Sequence, residues 1–409
     1  MSAEETLAAL LISSEGRANP YPLYDQLRSQ APILHSTSGL MVLSRYADGI
    51  SALRNPRLGR GLVGRPAPAA SPGRPAGADP ELQQAFFDRG TGSMLLTDPP
   101  QHGRLRRLVS RAFTPRSVAA LRPQIAQTVD HLMVDLRGEV DLLSALAFPL
   151  PNQVIGELVG VPQADRAGFE DLVHTSSAAL EPTVDDATVR AAMAAQDTLH
   201  AYFATLLAQR RRQPGPDLLS GLAAAADDDD RLTDYEITST AILLFAAGFE
   251  TTTNLIGNGV LALLQHPQEM ARLRSDPTMM PSAVEELLRW DSPVQLNLRT
   301  ALEPTEVGDE AIEGGQAVLV LQGAANRDPG RFADPHRLDL NRADNVPLSF
   351  GWGAHHCLGA GLARLEAVVV FTALLARFSD IALLDDEPTW RSGLTFRGLA
   401  QLRVCLTPA

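Results

Sequence analysis

The chain has 409 residues, of which 45% are hydrophobic and 20% are charged, a balance typical of a folded globular protein with a sizeable core. Its formal net charge of -13 at pH 7 would repel a phosphate backbone, so we expect no nucleic-acid partner. Cys357 and Cys405 are too few for a secreted disulfide framework. No stretch approaches the roughly 20 apolar residues that span a bilayer, and the N-terminus does not resemble a signal peptide. We therefore expect a cytoplasmic protein outside the membrane.

Apolar spacing and turn residues divide the chain into helical and extended stretches. Residues 20–27 predict an amphipathic helix, residues 41–43 a strand and residues 46–53 another helix. Residues 56–80 are crowded with Pro, Gly and Ala, which predicts a long mobile loop without a regular element. Between residues 115 and 266 the apolar residues recur at helical spacing, so we expect this part to be all-helical.

The longest predicted helix follows the acidic run at 227–230. Thr233 and Glu236 have the spacing of a capping box, and the helical pattern continues to Leu264, which gives a helix roughly 45 Å long. Residues 247–252, in its middle, break local rules, because glycine and consecutive threonines are poor helix formers. Two explanations remain open at this point: a packing notch against another helix, or a functional site where a threonine hydroxyl bonds back to a carbonyl.

The C-terminal part mixes strands with a final helix. After a helix that ends near Trp290, β-branched runs at 294–298, around Val307 and at 318–321 predict strands. A meander over 329–347, a glycine-rich loop, a helix over 358–378 and a β-hairpin complete the chain. With no internal repeat, we expect one domain over residues 1–409. Its β-rich parts would be about 33–60, 294–322 and 381–408, and its helical parts about 81–290 and 358–378.

One loop carries the strongest chemical signal. Residues 349–359, Ser-Phe-Gly-Trp-Gly-Ala-His-His-Cys-Leu-Gly, place Cys357 at the N-terminus of a helix. There, unpaired N–H groups and the helix dipole lower a thiol pKa, so we expect Cys357 to be poised as an anion. Gly351 and Gly353 permit a tight turn beside a flat ligand, and Gly359 lets the following helix approach that ligand closely.

Three interpretations of this loop compete. Cys357 could be an inert buried cysteine, the commonest fate of a lone cysteine. It could share a zinc site with His355 and His356, but the chain has no further ligand pair with zinc-like spacing. The third starts from the pattern Phe350-x-x-Gly-x-His355-x-Cys357-x-Gly, which resembles the haem-binding signature of the cytochromes P450. In that family the cysteine supplies the proximal thiolate to the iron.

The resemblance extends from residue 20 to residue 408 and is closest to the bacterial, actinobacterial-type enzymes of the soluble class I. It implies a mainly α cytochrome P450 fold, in which a large helical domain with a long central helix is joined by a small β-rich subdomain. It also implies haem b, iron protoporphyrin IX, as the cofactor, with Cys357 as the ligand of the iron.

Further positions match the family in the expected order. His102 and Arg106 stand four apart on one helix, where both reach one anion, although a solvated basic face has the same pattern. The resemblance assigns to them, and to Arg299 and His355, the binding of the haem propionates. The other positions expected to contact haem are Phe350, Gly351, Gly359, Ala247 and Gly248.

The resemblance also assigns catalytic and structural roles. Glu250 and Thr251 match the acid and alcohol that deliver protons to dioxygen, and Gly248 would make room for the O2. Glu286 and Arg289, three apart on a helix, match a structural pair whose third member would be Arg337, although spacing alone favours an ordinary surface salt bridge. The expected substrate pocket consists of Met94, Leu95, Leu243, Ala246, Leu296, Asn297, Thr395 and Phe396.

These positions predict a haem-thiolate monooxygenase that inserts one oxygen atom of O2 into an apolar organic substrate by hydroxylation or epoxidation. The resemblance favours a secondary metabolite, such as a polyketide, peptide or terpenoid. A ferredoxin and a ferredoxin reductase would supply electrons, and an acidic ferredoxin would dock near Arg104, Arg107 and Arg111. Two alternatives stay open: a P450-type oxidase that couples or rearranges its substrate without oxygen insertion, and a non-catalytic haem or ligand-binding protein.

Overall fold

The computed structural model describes residues 1–60, 79–225 and 232–409. Most of the loop predicted at 56–80, and the acidic run at 227–230, lie outside the described residues. At the edges of that loop the expected absence of regular elements is wrong, since Leu58–Gly59 forms a short strand and a helix begins at Pro80. Within the described part of the chain, no helix has both the length and the apolar character needed to cross a membrane.

Helices make up most of the described chain. In chain order they are α1 (Ala3–Ile12), α2 (Ser14–Ala18), α3 (Tyr21–Gln30), α4 (Tyr46–Arg54), α5 (Pro80–Arg89), α6 (Gln101–Val109), α7 (Pro115–Ala120), α8 (Arg122–Met133), α9 (Pro149–Val159), α10 (Gln163–Arg166), α11 (Phe169–Ala178), α12 (Asp186–Arg212), α13 (Leu218–Ala225), α14 (Asp234–Gln265), α15 (Pro267–Ser275), α16 (Met280–Trp290), α17 (Gln322–Ala325) and α18 (Ala360–Arg377).

The strands of the described ranges form three small sheets. They are β1 (Ile33–His35), β2 (Met41–Leu43), β3 (Leu58–Gly59), β4 (Gly138–Asp141), β5 (Leu296–Ala301), β6 (Thr305–Val307), β7 (Glu310–Ile312), β8 (Ala317–Leu321), β9 (Phe378–Leu383) and β10 (Arg403–Pro408). The largest sheet has the order β1-β2-β8-β5-β3, and only its β2–β8 pair is parallel. The others are β4-β10-β9 and the hairpin β6-β7. The predicted C-terminal hairpin is present as the antiparallel pair β9 and β10.

Helix α14 begins where the sequence predicts. Thr233 Oγ1 accepts a hydrogen bond from the Glu236 N–H at 3.2 Å, and the Glu236 carboxylate accepts one from the Thr233 N–H at 2.9 Å, so the predicted capping box is confirmed. The helix has 32 residues and is therefore about 48 Å long. It packs against α9, α12, α16 and α18, which places it at the centre of the helical part.

Strand β4 contradicts the expectation that residues 115–266 are all-helical. Its four residues pair antiparallel with β10, in the register Val140 to Val404, more than 200 positions away in the chain. Gly138, which opens the strand, has a φ of +66°, a conformation that glycine adopts without strain. The pairing is a long-range contact, and local apolar spacing carries no signal for it.

A buried ion cluster joins α16 to the segment between α17 and α18. Glu286 and Arg289 are both fully buried, and the Glu286 carboxylate accepts hydrogen bonds from Arg289 Nε at 2.7 Å and Nη2 at 2.8 Å. Arg342 Nε lies 3.1 Å from the same carboxylate. The expected third member, Arg337, is wrong: it is exposed and contributes only its backbone carbonyl, which accepts from Arg289 at 3.3 Å and from Arg342 at 2.8 Å. The meander turns at the Arg337 carbonyl, so the side chain that reaches Glu286 is that of Arg342.

Candidate cofactor and active site

A cavity of about 440 Å³ lies between the middle of α14 and the loop that precedes α18. Apolar and aromatic side chains form most of its wall, together with a few charged groups. It brings together residues that are far apart in the sequence. The positions named from the sequence that line it are Met94, Leu95, His102, Arg106, Leu243, Ala246, Ala247, Gly248, Glu250, Thr251, Leu296, Asn297, Phe350, Gly351, His355, Cys357, Gly359, Thr395 and Phe396.

The cysteine loop is held by its backbone. Cys357 N–H donates to the Phe350 carbonyl at 2.9 Å, and the loop turns through Gly351 and Gly353 at φ values of +64° and +72°. A Cβ at position 353 would overlap the backbone carbonyl of Leu53, so only glycine fits there. A Cβ at Gly359 would meet no heavy atom within 4 Å, and Gly359 lines the cavity. The Cys357 side chain is exposed only in the sense that it borders this internal space.

The electrostatic expectation for Cys357 is wrong for the chain alone. Burial raises the pKa of the Cys357 thiol, and this effect outweighs the lowering by the Gly359 and Ala360 N–H groups and by Arg106 and Arg364. The N–H groups at the start of the helix therefore lower the thiol pKa, as predicted, but by less than burial raises it. A metal ion that binds the sulfur would remove the proton outright, since a coordinated thiol is deprotonated.

Polar groups gather at one end of the cavity. The His102 and His355 rings stand 4.2 Å apart between centroids, and the Nε2 atoms of both are buried with no hydrogen-bond partner among the described residues. His355 Nε2 is 3.7 Å from Asp98 Oδ1, which is too long for a hydrogen bond. Burial lowers the pKa of both rings, that of His355 to about 4. Orphaned buried donors of this kind indicate that a ligand completes the site.

Of the two arginines expected to bind the propionates, Arg106 lines the cavity and Arg299 is not among its lining residues. Arg106 lines the cavity, and its Nη2 donates to the His356 carbonyl at 2.6 Å. Arg299 is buried in β5 behind the wall, where it bonds to Asn297 and to the Leu298 carbonyl. Its positive charge lowers the pKa of His102, so it lies within electrostatic reach of the cavity.

The segment 247–252 lines the cavity and also packs against α9. Thr251 Oγ1 donates to the Ala247 carbonyl at 2.7 Å, the back bond expected of a functional threonine. A Cβ at Gly248 would come within 3.1 Å of Ile155 in α9, so the missing side chain of Gly248 serves helix packing, while its backbone lines the cavity. The expectation that Gly248 makes room for O2 stays a prediction.

Glu250 connects the cavity to outer residues. Its carboxylate Oε1 lies 3.5 Å from His174 Nδ1 and 3.6 Å from Arg391 Nη1. The His174 side chain is 59% exposed, whereas that of Glu250 is 8% exposed. The contact with Glu250 raises the pKa of His174. A buried carboxylate that touches an exposed imidazole can exchange protons with solvent.

Three cavity residues of interest escaped the sequence analysis. Arg60 lines the cavity beside the two histidines but comes from a stretch without periodicity. Glu366 in α18 is fully buried, its Oε2 has no partner among the described residues, and burial raises its pKa to about 8. Glu181, between α11 and α12, accepts the backbone N–H groups of Leu394, Thr395 and Phe396. Only the three-dimensional fold reveals that these groups meet at one cavity.

The cavity residues fit a haem. The described residues contain no group of three or more His, Cys, Asp or Glu side chains that could hold a metal ion by themselves. A single sulfur donor, apolar walls and cationic or N–H groups at one end are the features that a flat iron porphyrin with two carboxylates requires.

Comparison with known proteins identifies the family. Residues 182–392 match the cytochrome P450 family model. The chain is 42% identical to cytochrome P450 107B1 of Saccharopolyspora erythraea over 89% of this chain and 88% of the relative. It is 41% identical to the vitamin D(3) 25-hydroxylase of Pseudonocardia autotrophica, over 95% of this chain and 94% of the relative.

Solved structures confirm the predicted fold. The crystal structure of P450BioI in complex with hexadec-9Z-enoic acid ligated acyl carrier protein superposes with a TM-score of 0.87 at 35% identity, covering 96% of this chain and 99% of that one. The mainly α architecture with its central α14 and small sheets is thus shared over nearly the whole length. The chain therefore belongs to the cytochrome P450 family and is one of its monooxygenase enzymes.

Proposed function

We propose that the enzyme binds haem b through Cys357 and inserts one oxygen atom of O2 into an apolar organic substrate, by hydroxylation or epoxidation. The observation that supports this most directly is the placement of Glu250 and Thr251 in the wall of the cavity that Cys357 also lines. A protein that only carried haem would have no use for an acid and an alcohol beside the cofactor. A thiolate-bound haem supplies the reductive activation of O2.

The chain's own contribution is to hold and move protons. The Thr251 hydroxyl donates a hydrogen bond to the Ala247 carbonyl at 2.7 Å, so its oxygen lone pairs are left to accept a hydrogen bond from a water in the cavity. Glu250 lies next to it in sequence and reaches His174 on the outer side. We propose that protons pass from solvent to the His174 imidazole and then to Glu250, and that Glu250 passes them to a water held in the cavity by the Thr251 hydroxyl oxygen.

The substrate class follows from the cavity wall and the relatives. The cavity wall is mostly apolar, with Leu243, Ala246, Leu296 and Phe396 among its residues, which favours burial of a hydrocarbon-rich substrate. One relative is named for vitamin D(3), and a similar structure holds a fatty acyl chain on a carrier protein. We propose a secondary metabolite, such as a polyketide, peptide or terpenoid.

A ferredoxin and its reductase are the proposed electron donors, and the cytoplasm is the proposed compartment. The docking patch expected at Arg104, Arg107 and Arg111 needs one correction. Arg104 forms an ion pair with Glu236 in the first turn of α14, so its charge is engaged inside the fold. Arg107 and Arg111 are exposed on the segment that ends near the cysteine loop and remain in the proposed patch.

Turnover with isotope-labelled O2 tests the proposal. With a ferredoxin and reductase, we expect one labelled oxygen atom in the product. An unlabelled oxidised product would favour the alternative of an oxidase that couples or rearranges its substrate. Ligand binding without any turnover would favour the non-catalytic alternative.

A pair of threonine variants tests the proton path. Thr251→Val should lower the fraction of electrons that reach product by about 100-fold, the lower end of an acid–base contribution. Thr253→Val is the matched control, because Thr253 makes the same back bond, to Phe249 at 3.0 Å, but does not line the cavity. Equal losses in both variants would mean that only helix geometry matters and would refute the proposed role.

A further inference from the structure

The polar end of the cavity carries an excess of positive charge on buried and half-buried arginines. Arg60 acts electrostatically on His355, Arg106 on His102, and Arg299 on both. Asp98 is the acidic group that acts on both histidines. Among the described residues, three guanidiniums and one carboxylate leave two positive charges in this cluster. Excess charge away from water is unfavourable unless a counter-ion binds, and a dicarboxylate would neutralise this cluster.

We infer that Arg60, positioned by Asp98, is a further binding residue for the two carboxylates of the haem. The negative charge of Asp98 reduces the net charge of the cluster to the two positive charges that the two carboxylates neutralise. This inference rests on the proposed haem cofactor. No sequence pattern points to Arg60, which stands at the end of β3.

Asp98 positions Arg60 through the backbone. Its Oδ1 accepts the Arg60 N–H at 2.8 Å, and a Cβ at Gly59 would overlap the Asp98 carboxylate. Glycine at 59 therefore allows the carboxylate to approach the backbone closely enough to bond. This contact ties β3 to the chain just before α6, which carries His102 and Arg106.

Arg60 keeps its charge in this setting. Burial lowers the pKa of Arg60 to about 10, so the guanidinium is protonated at neutral pH, and its charge in turn helps to lower the pKa of Arg299. Two guanidiniums that repel each other at the edge of a cavity gain from an anion placed between them. The guanidinium also offers two parallel N–H donors, the geometry that suits a carboxylate.

Haem release measures this role directly. A charge-assisted hydrogen bond contributes about 1.5–3 kcal/mol, so Arg60→Gln should speed the transfer of haem to an excess of apomyoglobin by roughly 10- to 100-fold. Arg60→Lys keeps the charge, so it should accelerate haem release less than Arg60→Gln does. Arg57→Gln is the matched control on the same edge, because Arg57 pairs with Glu303 at 2.8 Å and its side chain is 57% exposed. Unchanged haem release in Arg60→Gln would overturn the inference.

Haem dimethyl ester separates a carboxylate contact from a general loss of structure. The ester lacks the two negative charges, so wild-type protein should prefer haem over the ester, and Arg60→Gln should reduce this preference. If Arg60→Gln weakens haem and ester binding equally, Arg60 is only structural and the inference fails. Asp98→Asn preserves the acceptor for the Arg60 N–H but removes one negative charge, which makes the cluster more positive by one unit. It should therefore raise the reduction potential of the haem iron. A lowered or unchanged potential would contradict the charge-matching role.

Failure of the inference can be told apart from failure of the proposed function. Haem retention and reduction potential are measured without substrate or turnover. If wild-type protein binds haem through sulfur but forms no labelled product, the oxygenation proposal fails while the Arg60 comparison still decides the inference.

Discussion

Loss of the Glu286 carboxylate should destabilise the enzyme more than loss of any exposed acid. Glu286 is fully buried and bonds to two guanidiniums, to the Asp339 N–H at 2.9 Å and to Asn345 Nδ2 at 3.0 Å. Glu286→Gln keeps the shape but leaves two buried arginines without their counter-charge. Breaking a buried pair in this way costs about 3–5 kcal/mol.

Thermal unfolding provides the assay for Glu286→Gln. At 409 residues, with about 2 cal/mol/K of unfolding entropy per residue, each kcal/mol lowers the unfolding midpoint by about 1 °C. We expect a fall of roughly 3–5 °C on that basis. Asp385→Asn, which breaks the exposed pair with Arg403 at 3.0 Å, is the control and should cost less than about 1 kcal/mol. Equal midpoints for both variants would refute the reasoning.

Three further outcomes follow from the structure. Gly353→Ala should be more destabilising than Gly315→Ala. Both glycines have left-handed φ values, but only a Cβ at 353 would overlap a carbonyl in α4. Equal unfolding midpoints of the two variants would contradict this. Glu181→Ala removes the acceptor of three backbone N–H groups in the β9–β10 connection. It should speed both the entry and the release of apolar ligands, measured by stopped-flow absorbance. Unchanged rates would exclude Glu181 as a restraint on access. His174, whose pKa the Glu250 contact raises, should stabilise the fold fully below about pH 6.5 and lose that contribution as the pH rises through its raised value. His174→Gln should therefore differ from wild type by less than about 1 kcal/mol at low pH and converge with it at high pH, whereas divergence with rising pH would reverse the argument.

Local signals in the sequence were enough for the elements that depend on nearby residues. The capping box of Thr233 and Glu236 starts α14 because both partners lie within one turn. The back bond of Thr251 is likewise a contact with the preceding turn. The cysteine loop could be recognised because its glycines stand at fixed distances from Cys357 in the chain.

The features that escaped prediction depend on distant parts of the chain. Strand β4 exists because β10 lies beside it, and Arg342 rather than Arg337 reaches Glu286 because of how the meander turns. Arg60 comes from a stretch whose composition predicts only a loop. For Cys357, the sequence shows the favourable helix terminus but not the burial that raises its thiol pKa.

The central claim is that the Cys357 sulfur binds the iron of a haem. Reducing the purified enzyme under carbon monoxide and recording its absorption spectrum tests this most directly. We predict the strongly red-shifted Soret band of a thiolate ligand in wild-type protein and its loss in Cys357→Ala. A wild-type spectrum without that shift, or a Cys357→Ala spectrum that retains it, would contradict the assignment of the cofactor site.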